Sequence, residues 1–138
     1  MKKISIVTPT FNEEENIKRL CSEIKVEAES LNYDYEHIII DNSSSDKTID
    51  ILREIAAKDK NVKIIINSRN YGHIKSPFYG IMQATGDACI LMVSDFQEPI
   101  HLITKYIKKW ENGAKIVLGQ KKISEEKITV IYNTGGRT

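Results

Sequence analysis

Cysteine and histidine are scarce in this chain. Two cysteines, Cys21 and Cys89, stand among 138 residues. Cys21 falls in a helical pattern and Cys89 in a strand pattern, so buried thiols in a reducing cytosol are expected rather than a disulfide. His37, His73 and His101 lie far apart and offer no metal-ligand spacing. Charge of one sign is also lacking. The net charge is +1, so no bulk field argues for nucleic acid or an anionic membrane surface. No apolar run approaches the ~18 residues of a membrane-crossing helix. Met1-Lys2-Lys3 resembles a signal-peptide start, but the apolar stretch behind it stops at Pro9. No internal repeat or low-complexity linker is present. What remains is ordinary: 41% hydrophobic and 28% charged residues, in a chain long enough for one domain with a real core.

Five apolar runs alternate with helical periodicity. Lys3 to Thr8 reads as a strand that Pro9 ends. Asn12 is expected to cap a helix, with Glu15 completing a capping-box pair and three glutamates in the first turn. Ile17, Leu20, Cys21, Ile24, Ala28 and Leu31 follow at helical spacing. Tyr35 to Asp41 and Val62 to Ile66 are strands whose isoleucine triplets suggest burial on both faces. A helix is expected from Lys47 to Lys58, and another from His73 to Thr85 with Gly86 as its stop. Ala88 to Val93 is a strand. A helix follows Pro99, burying Ile103, Tyr106, Ile107 and Trp110, and Ala114 to Gly119 is a last strand. Short connections and continuous apolar strands predict an α/β fold, with a mostly parallel sheet covered by helices on both faces. Residues 121–138 break the rhythm and are expected to be irregular or a truncated end.

The strand running into Ser94-Asp95-Phe96-Gln97-Glu98-Pro99 is the centre of this pattern. It delivers Asp95 to the carboxyl edge of the sheet, where open α/β sheets bind ligands. One carboxylate with the Gln97 amide oxygen suits a hard cation that also takes phosphate oxygens. The same position also suits Asp95 as a helix cap. Three other polar segments end strands on that edge: Thr8-Pro9-Thr10-Phe11-Asn12-Glu13, Asp41-Asn42-Ser43, and Arg69-Asn70 leading to Gly72. An acid there can accept from a base N–H or a ribose hydroxyl, and serines at a helix start can hold phosphate. Together these describe a nucleoside-diphosphate site. No G-x-G-x-x-G follows the first strand and no G-x-x-x-x-G-K-[ST] exists, which argues against dinucleotide and P-loop folds.

Those residues resemble a family. Val7-Thr8-Pro9-Thr10-Phe11-Asn12-Glu13-Glu14-Glu15-Asn16-Ile17 is similar to the V-P-x-Y-N-E-E-x-N-I opening of family 2 glycosyltransferases. Ile40 to Thr48 resembles their D-D-G-S-x-D-G-T loop, Arg69-Asn70-Tyr71-Gly72 their R-N-x-G, and Thr85-Gly86-Asp87 the x-G-D before the metal strand. Ser94 to Pro99 resembles A-D-L-Q-D-P of the branch with dolichyl-phosphate mannose synthase and bacterial polyprenyl-phosphate sugar transferases. The resemblance covers residues 3 to 122. It implies a GT-A, nucleotide-diphospho-sugar transferase fold of Rossmann-like character, an inverting transfer, and Mg²⁺ or Mn²⁺ as cofactor. Carried over by position, Pro9, Phe11, Glu13 and Asp41 would hold the nucleoside. Thr8, Ser43, Arg69, Gly72 and Ser94 would complete the donor site, and Asp95 and Gln97 would serve the metal and diphosphate. Three departures stand out. Val93 occupies the first acid position of the family's D-x-D, Asn42 stands where a second acid is common, and Gln120-Lys121-Lys122 replaces an arginine.

The expected function is transfer of a sugar from a nucleotide donor to a polyprenyl-phosphate or glycan acceptor, in polysaccharide or glycolipid synthesis. The expected division is a nucleotide-sugar domain over residues 1–120 and an irregular segment over 121–138. No nucleic-acid partner is expected. Location is expected to be cytoplasmic, with room for peripheral contact at the inner membrane face. Relatives in this branch are longer, so the chain is expected to bind donor and transfer poorly by itself. A non-catalytic sugar-nucleotide-binding domain is the alternative. A receiver domain is disfavoured because Asn67 and Ser68 end the third strand where a phosphorylatable acid would be needed.

Overall fold

In a computed structural model, residues 2–92, 100–111, 116–120 and 127–132 are described. Ten elements follow in order: β1 (Lys3–Thr10), α1 (Ile17–Glu29), β2 (Asp34–Asp41), α2 (Thr48–Lys58), β3 (Val62–Ile66), α3 (Gly72–Met82), β4 (Ala88–Leu91), α4 (Ile100–Glu111), β5 (Ile116–Gln120) and β6 (Lys127–Tyr132). The sheet order is β3-β2-β1-β4-β6-β5. β1 pairs in parallel with both β2 and β4, and β2 with β3. β6 is antiparallel to both of its neighbours, β4 and β5.

Alternation along the strands sorts side chains into two layers. Ile4 and Ile6 of β1, Ile39 of β2 and Ile90 of β4 pack with Ile17, Leu20 and Ile24 of α1, Leu52 of α2, and Ile103, Tyr106 and Ile107 of α4. Val7, Ile38, Ile40 and Cys89 face the opposite side with Ile81 of α3. Gly80 lets α3 lie close: a Cβ there would sit 2.9 Å from Val7 and 3.2 Å from Ile40. Both cysteines are buried thiols, and burial pushes each up to about 12. Tyr106 and Trp110 pack as expected, Trp110 against Tyr33 with ring centroids 5.7 Å apart.

Four expectations change. β1 continues through Pro9 to Thr10. Val7 O accepts from Met92 N on the β4 side and Thr10 O accepts from Asn42 N on the β2 side. Backbone groups alternate sides, so the nitrogen of Pro9 points toward β4, past the last β1–β4 register pair, and no bond to β2 is lost. β3 lies at one edge of the sheet, and Ile66 is exposed rather than buried on both faces. Gly86 lies four residues past α3 and serves the entry to β4: its amide donates to Ser5 Oγ at 2.8 Å. A Cβ there would meet Ser5 Oγ at 2.6 Å and Lys3 O at 2.8 Å, so glycine is required by close approach.

The fourth change is the largest. The segment 121–138, expected to be irregular, contains β6, which inserts between β4 and β5. The β5 partner lies only about ten residues back, but the β4 partner lies about forty residues back, and local pattern does not reveal that second pairing.

Candidate functional site

β1 and β2 leave the sheet side by side, with Thr10 opposite Asp41. Thr10 Oγ1 donates to Asp41 Oδ1 at 2.9 Å, Ser44 Oγ donates to the same oxygen at 2.6 Å, and Ser44 N donates to Oδ2 at 2.8 Å. Asp41 is fully buried and turned into its own loop. Asn12 ties the two loops together. Its φ is 51°, in the left-handed region that asparagine tolerates better than most residues. Its amide donates to Ser44 Oγ at 2.8 Å, and its Oδ1 accepts from Ser45 N at 2.9 Å and Asp46 N at 3.3 Å. Glu13 N donates to Thr48 Oγ1 at 2.8 Å, and Glu14 N to Asp46 Oδ2 at 3.2 Å.

Asn12 therefore does not cap α1. The helix starts at Ile17, its first turn holds no acid, and Glu13, Glu14 and Glu15 form the approach to it. The asparagine side chain instead accepts from the Ser45 and Asp46 amides of the neighbouring loop. Asp46 starts α2 by accepting from Thr48 N at 2.9 Å. Burial pushes the Asp46 carboxyl up, but bonds from Thr48 and Glu14 outweigh this and hold it below its ordinary range.

A second junction joins β2 to the loop after β3. Asn42 Oδ1 accepts from Tyr71 N at 2.8 Å and from Asn67 Nδ2 at 3.1 Å. Asn42 Nδ2 donates to Asn70 Oδ1 at 2.8 Å and to Gly72 O at 3.4 Å. Gly72 opens α3 with φ 92°, where any side chain would be strained. The Arg69 guanidinium lies 4.8 Å from the centre of the Tyr71 ring. A cavity of about 460 Å³, lined in part by Ile65, Ser68, Tyr71, Lys75 and Tyr79, adjoins this loop.

The expected site residues divide as follows. Pro9, Glu13 and Ser43 are half-buried, Phe11 is 47% exposed, and Arg69 is exposed; with Gly72 they lie at the carboxyl ends of β1, β2 and β3. Ser43 has φ 67°, a second left-handed residue in the paired loops. Thr8 does not reach this edge: it is buried beneath the helices, and its hydroxyl shares a 2.7 Å hydrogen bond with His37 Nε2. Burial brings the His37 imidazole down to about 4, so it is neutral. Ser94, Asp95 and Gln97 lie outside the described residues. β4 runs parallel to β1, so its carboxyl end shares this edge. Among the described residues no group of three or more His, Cys, Asp or Glu could hold a metal. Asn12, Asn42 and Asn67 were not expected to organise the site. The available signal was three asparagines, Asn42, Asn67 and Asn70, at the ends of two adjacent strands.

A sequence model described as Glycosyl transferase family 2 matches residues 5–135. The chain belongs to this family. It is 38% identical over 119 residues to the prophage bactoprenol glucosyl transferase homolog of Escherichia coli K12, covering 86% of this chain and 39% of that protein. It is 32% identical over 126 residues to a dolichol-phosphate mannosyltransferase of Pyrococcus furiosus, covering 91% and 35%. The chain thus spans little more than a third of the length of these relatives. Among solved structures, mannosyltransferase PcManGT from Pyrobaculum calidifontis, in complex with GDP-Man and Mn²⁺, superposes with a TM-score of 0.72 at 15% identity, covering 95% of this chain and 44% of that one. The fold is that of GT-A glycosyltransferases, as the sequence resemblance implied.

Proposed function

We propose that this family 2 domain binds a nucleotide-diphosphate sugar at the carboxyl edge of its sheet, and that the protein transfers the sugar, with inversion, to a lipid phosphate. The observation that carries this reading is the pair of locked loops. Asn12, Ser44 and Asp46 bond β1's loop to β2's, leaving Phe11 exposed beside them. A preformed wall with an exposed aromatic suits a nucleoside, because its ordering cost is met during folding. Pro9, Phe11 and Glu13 are the nucleoside-facing residues of this reading, with Ser43, Arg69, Gly72 and Ser94 around the rest of the donor. Asp41 is fully buried, with Oδ1 bonded to Thr10 and Ser44 and Oδ2 to Ser44 N, so in this reading it holds the loop that faces the nucleotide.

Mg²⁺ or Mn²⁺ is the cofactor in this reading, with Mn²⁺ present in PcManGT as support. The described residues supply no cage of their own, so Asp95 and Gln97 would hold the ion together with the donor's phosphates. The ion would neutralise the diphosphate leaving group. Lipid phosphate is favoured as acceptor by the bactoprenol and dolichol-phosphate relatives. Such an acceptor is already ionised and needs no general base. Work on a lipid phosphate would take the protein to a membrane face, on its cytoplasmic side. No described helix is long and apolar enough to cross a membrane.

Calorimetric titration with UDP, GDP and dTDP sugars, with Mn²⁺ and with EDTA, tests the donor half. One donor family should bind with Mn²⁺ and weaken with EDTA, and Asp95→Ala should remove the Mn²⁺ enhancement. Mass spectrometry of polyprenyl phosphate incubated with that donor tests the acceptor half. No binding by any donor overturns the proposal; donor binding with no glycolipid formed keeps the donor half and removes the lipid-phosphate half for this chain.

A further inference from the structure

The Asn42 amide uses all of its hydrogen-bonding capacity on one loop. Its oxygen accepts twice and its nitrogen donates twice, the full complement of a primary amide. Backbone groups fix which atom is which. Tyr71 N can only donate, so the atom 2.8 Å from it is the Asn42 oxygen. Gly72 N can only donate, so the atom 2.8 Å from it is the Asn70 oxygen. Asn42 must then present its nitrogen to Asn70. The junction needs a group at position 42 that accepts on one side and donates on the other, and Asn42 is nearly buried, at 8% exposed. A carboxylate accepts only. Placed here it would face the Asn70 oxygen and the Gly72 carbonyl with no proton between them.

We propose that Asn42 is a positioning residue of the donor edge, whose neutral amide holds the 67–72 loop, and with it Arg69 and Tyr71, against the end of β2. Asn42 is matched to Asn67 and Asn70 across the junction. Asn67 extends the network by donating to the buried Ser76 Oγ at 2.9 Å, which links the loop to α3. The charged groups on the surrounding elements are Asp41, one residue back on β2, Arg69 in the loop and Lys75 on α3. None of them bonds to the amide. Asn70 plays the opposite part: its oxygen accepts from Asn42 Nδ2 and from Gly72 N, so an acid is compatible there. The inference rests on the donor-site reading for its functional consequence, but its geometric core does not.

The test compares Asn42→Asp with Asn70→Asp by amide hydrogen exchange at Tyr71 and Gly72 in the nucleotide-free protein, at pH 7 and pH 4, each against the parent at the same pH. Asn42→Asp should lose protection about tenfold or more at pH 7. It should regain most of it at pH 4, where the protonated carboxyl again donates on one side and accepts on the other. Asn70→Asp should keep parental protection at pH 7. Donor titration at pH 7 is the functional arm, and Asn42→Asp should bind more weakly than Asn70→Asp. Parental protection in Asn42→Asp at pH 7 overturns the proposal, as does equal loss in both variants. Failure of Asn42→Asp to fold at pH 7 with recovery at pH 4 supports it, and failure at both overturns it. If the parent binds no donor, the donor-site reading fails while the exchange arm still decides the role of Asn42.

Discussion

The two ends of the sheet solve the same problem differently. At the amino end, Glu36 is buried at 1% exposure among Ser5, Thr85 and two lysines. Its carboxylate accepts from Lys63 Nζ and Ser5 Oγ, both at 2.6 Å, and from Thr85 N at 2.7 Å and Oγ1 at 2.9 Å; Lys3 Nζ lies 3.5 Å away. Burial raises this carboxyl, but bonds from Lys63, Ser5 and Thr85 outweigh it and bring it down to about 2. At the carboxyl end, the polar groups are mostly neutral amides and hydroxyls. Three residues there, Asn12, Ser43 and Gly72, have positive φ, and Phe11 and Arg69 face solvent. Buried, hydrogen-bonded polarity therefore does not by itself mark a ligand site. The amino-end knot ties β1, β2, β3 and the approach to β4 into one sheet. The carboxyl end places positive-φ residues in its loops and leaves Phe11 and Arg69 open to solvent, the arrangement the proposed donor site would use.

The comparison breaks if damage at the amino end impairs donor binding or damage at the carboxyl end mainly unfolds the chain. Glu36→Ala should have the largest effect, with a loss of about 3 kcal/mol in urea unfolding, because Ser5, Thr85 and the lysines lose their shared acceptor. The pH dependence is next. The folded pKa of Glu36, about 2, lies below the ordinary 4.5. Its stabilisation is therefore complete above pH 4.5 and lost as pH falls toward 2, an effect on the order of 2 kcal/mol. The folded pKa of His37, about 4, also lies below its ordinary 6.5, so the stability it contributes is present above pH 6.5 and lost as pH falls toward 4. Acid titration of the melting temperature should show both limbs in the parent and only the His37 limb in Glu36→Gln.

Changes at the other end should touch stability less and binding more. Asn12→Gly keeps the left-handed backbone at no steric cost but removes the acceptor shared by Ser45 N and Asp46 N. It should cost about 1 kcal/mol in unfolding and about tenfold in donor affinity. Phe11→Ala, at an exposed position, should change stability by less than about 0.5 kcal/mol. Its donor affinity should still fall, as read by titration with the same nucleotide.

The order of strands and helices was legible in the sequence because each depends on a local apolar period. Val62–Ile66 as a strand and the helix behind Pro99 needed nothing beyond that period. Ile128, Val130, Ile131 and Tyr132 form an apolar run like the other strands, but it is short and follows a charged stretch, and its pairing with β4, about forty residues back, has no local signal. The site was legible as motifs and less so as geometry. Thr8 belongs to a matching motif yet points into the helix layer, because strand alternation carries it there with Ile4 and Ile6. Glu36 and His37 read as ordinary strand residues, since only the folded neighbours, Lys63, Thr85 and Thr8, explain their burial.

The most direct measurement of the central claim is calorimetric titration of UDP, GDP and dTDP sugars, in the presence of Mn²⁺, into the parent, Glu36→Gln and Asn12→Gly, at a temperature where all three are folded. The account predicts that one donor family binds the parent and Glu36→Gln with affinities within about twofold of each other, and Asn12→Gly about tenfold more weakly. No donor binding to the parent, or an equal loss in both variants, would contradict it.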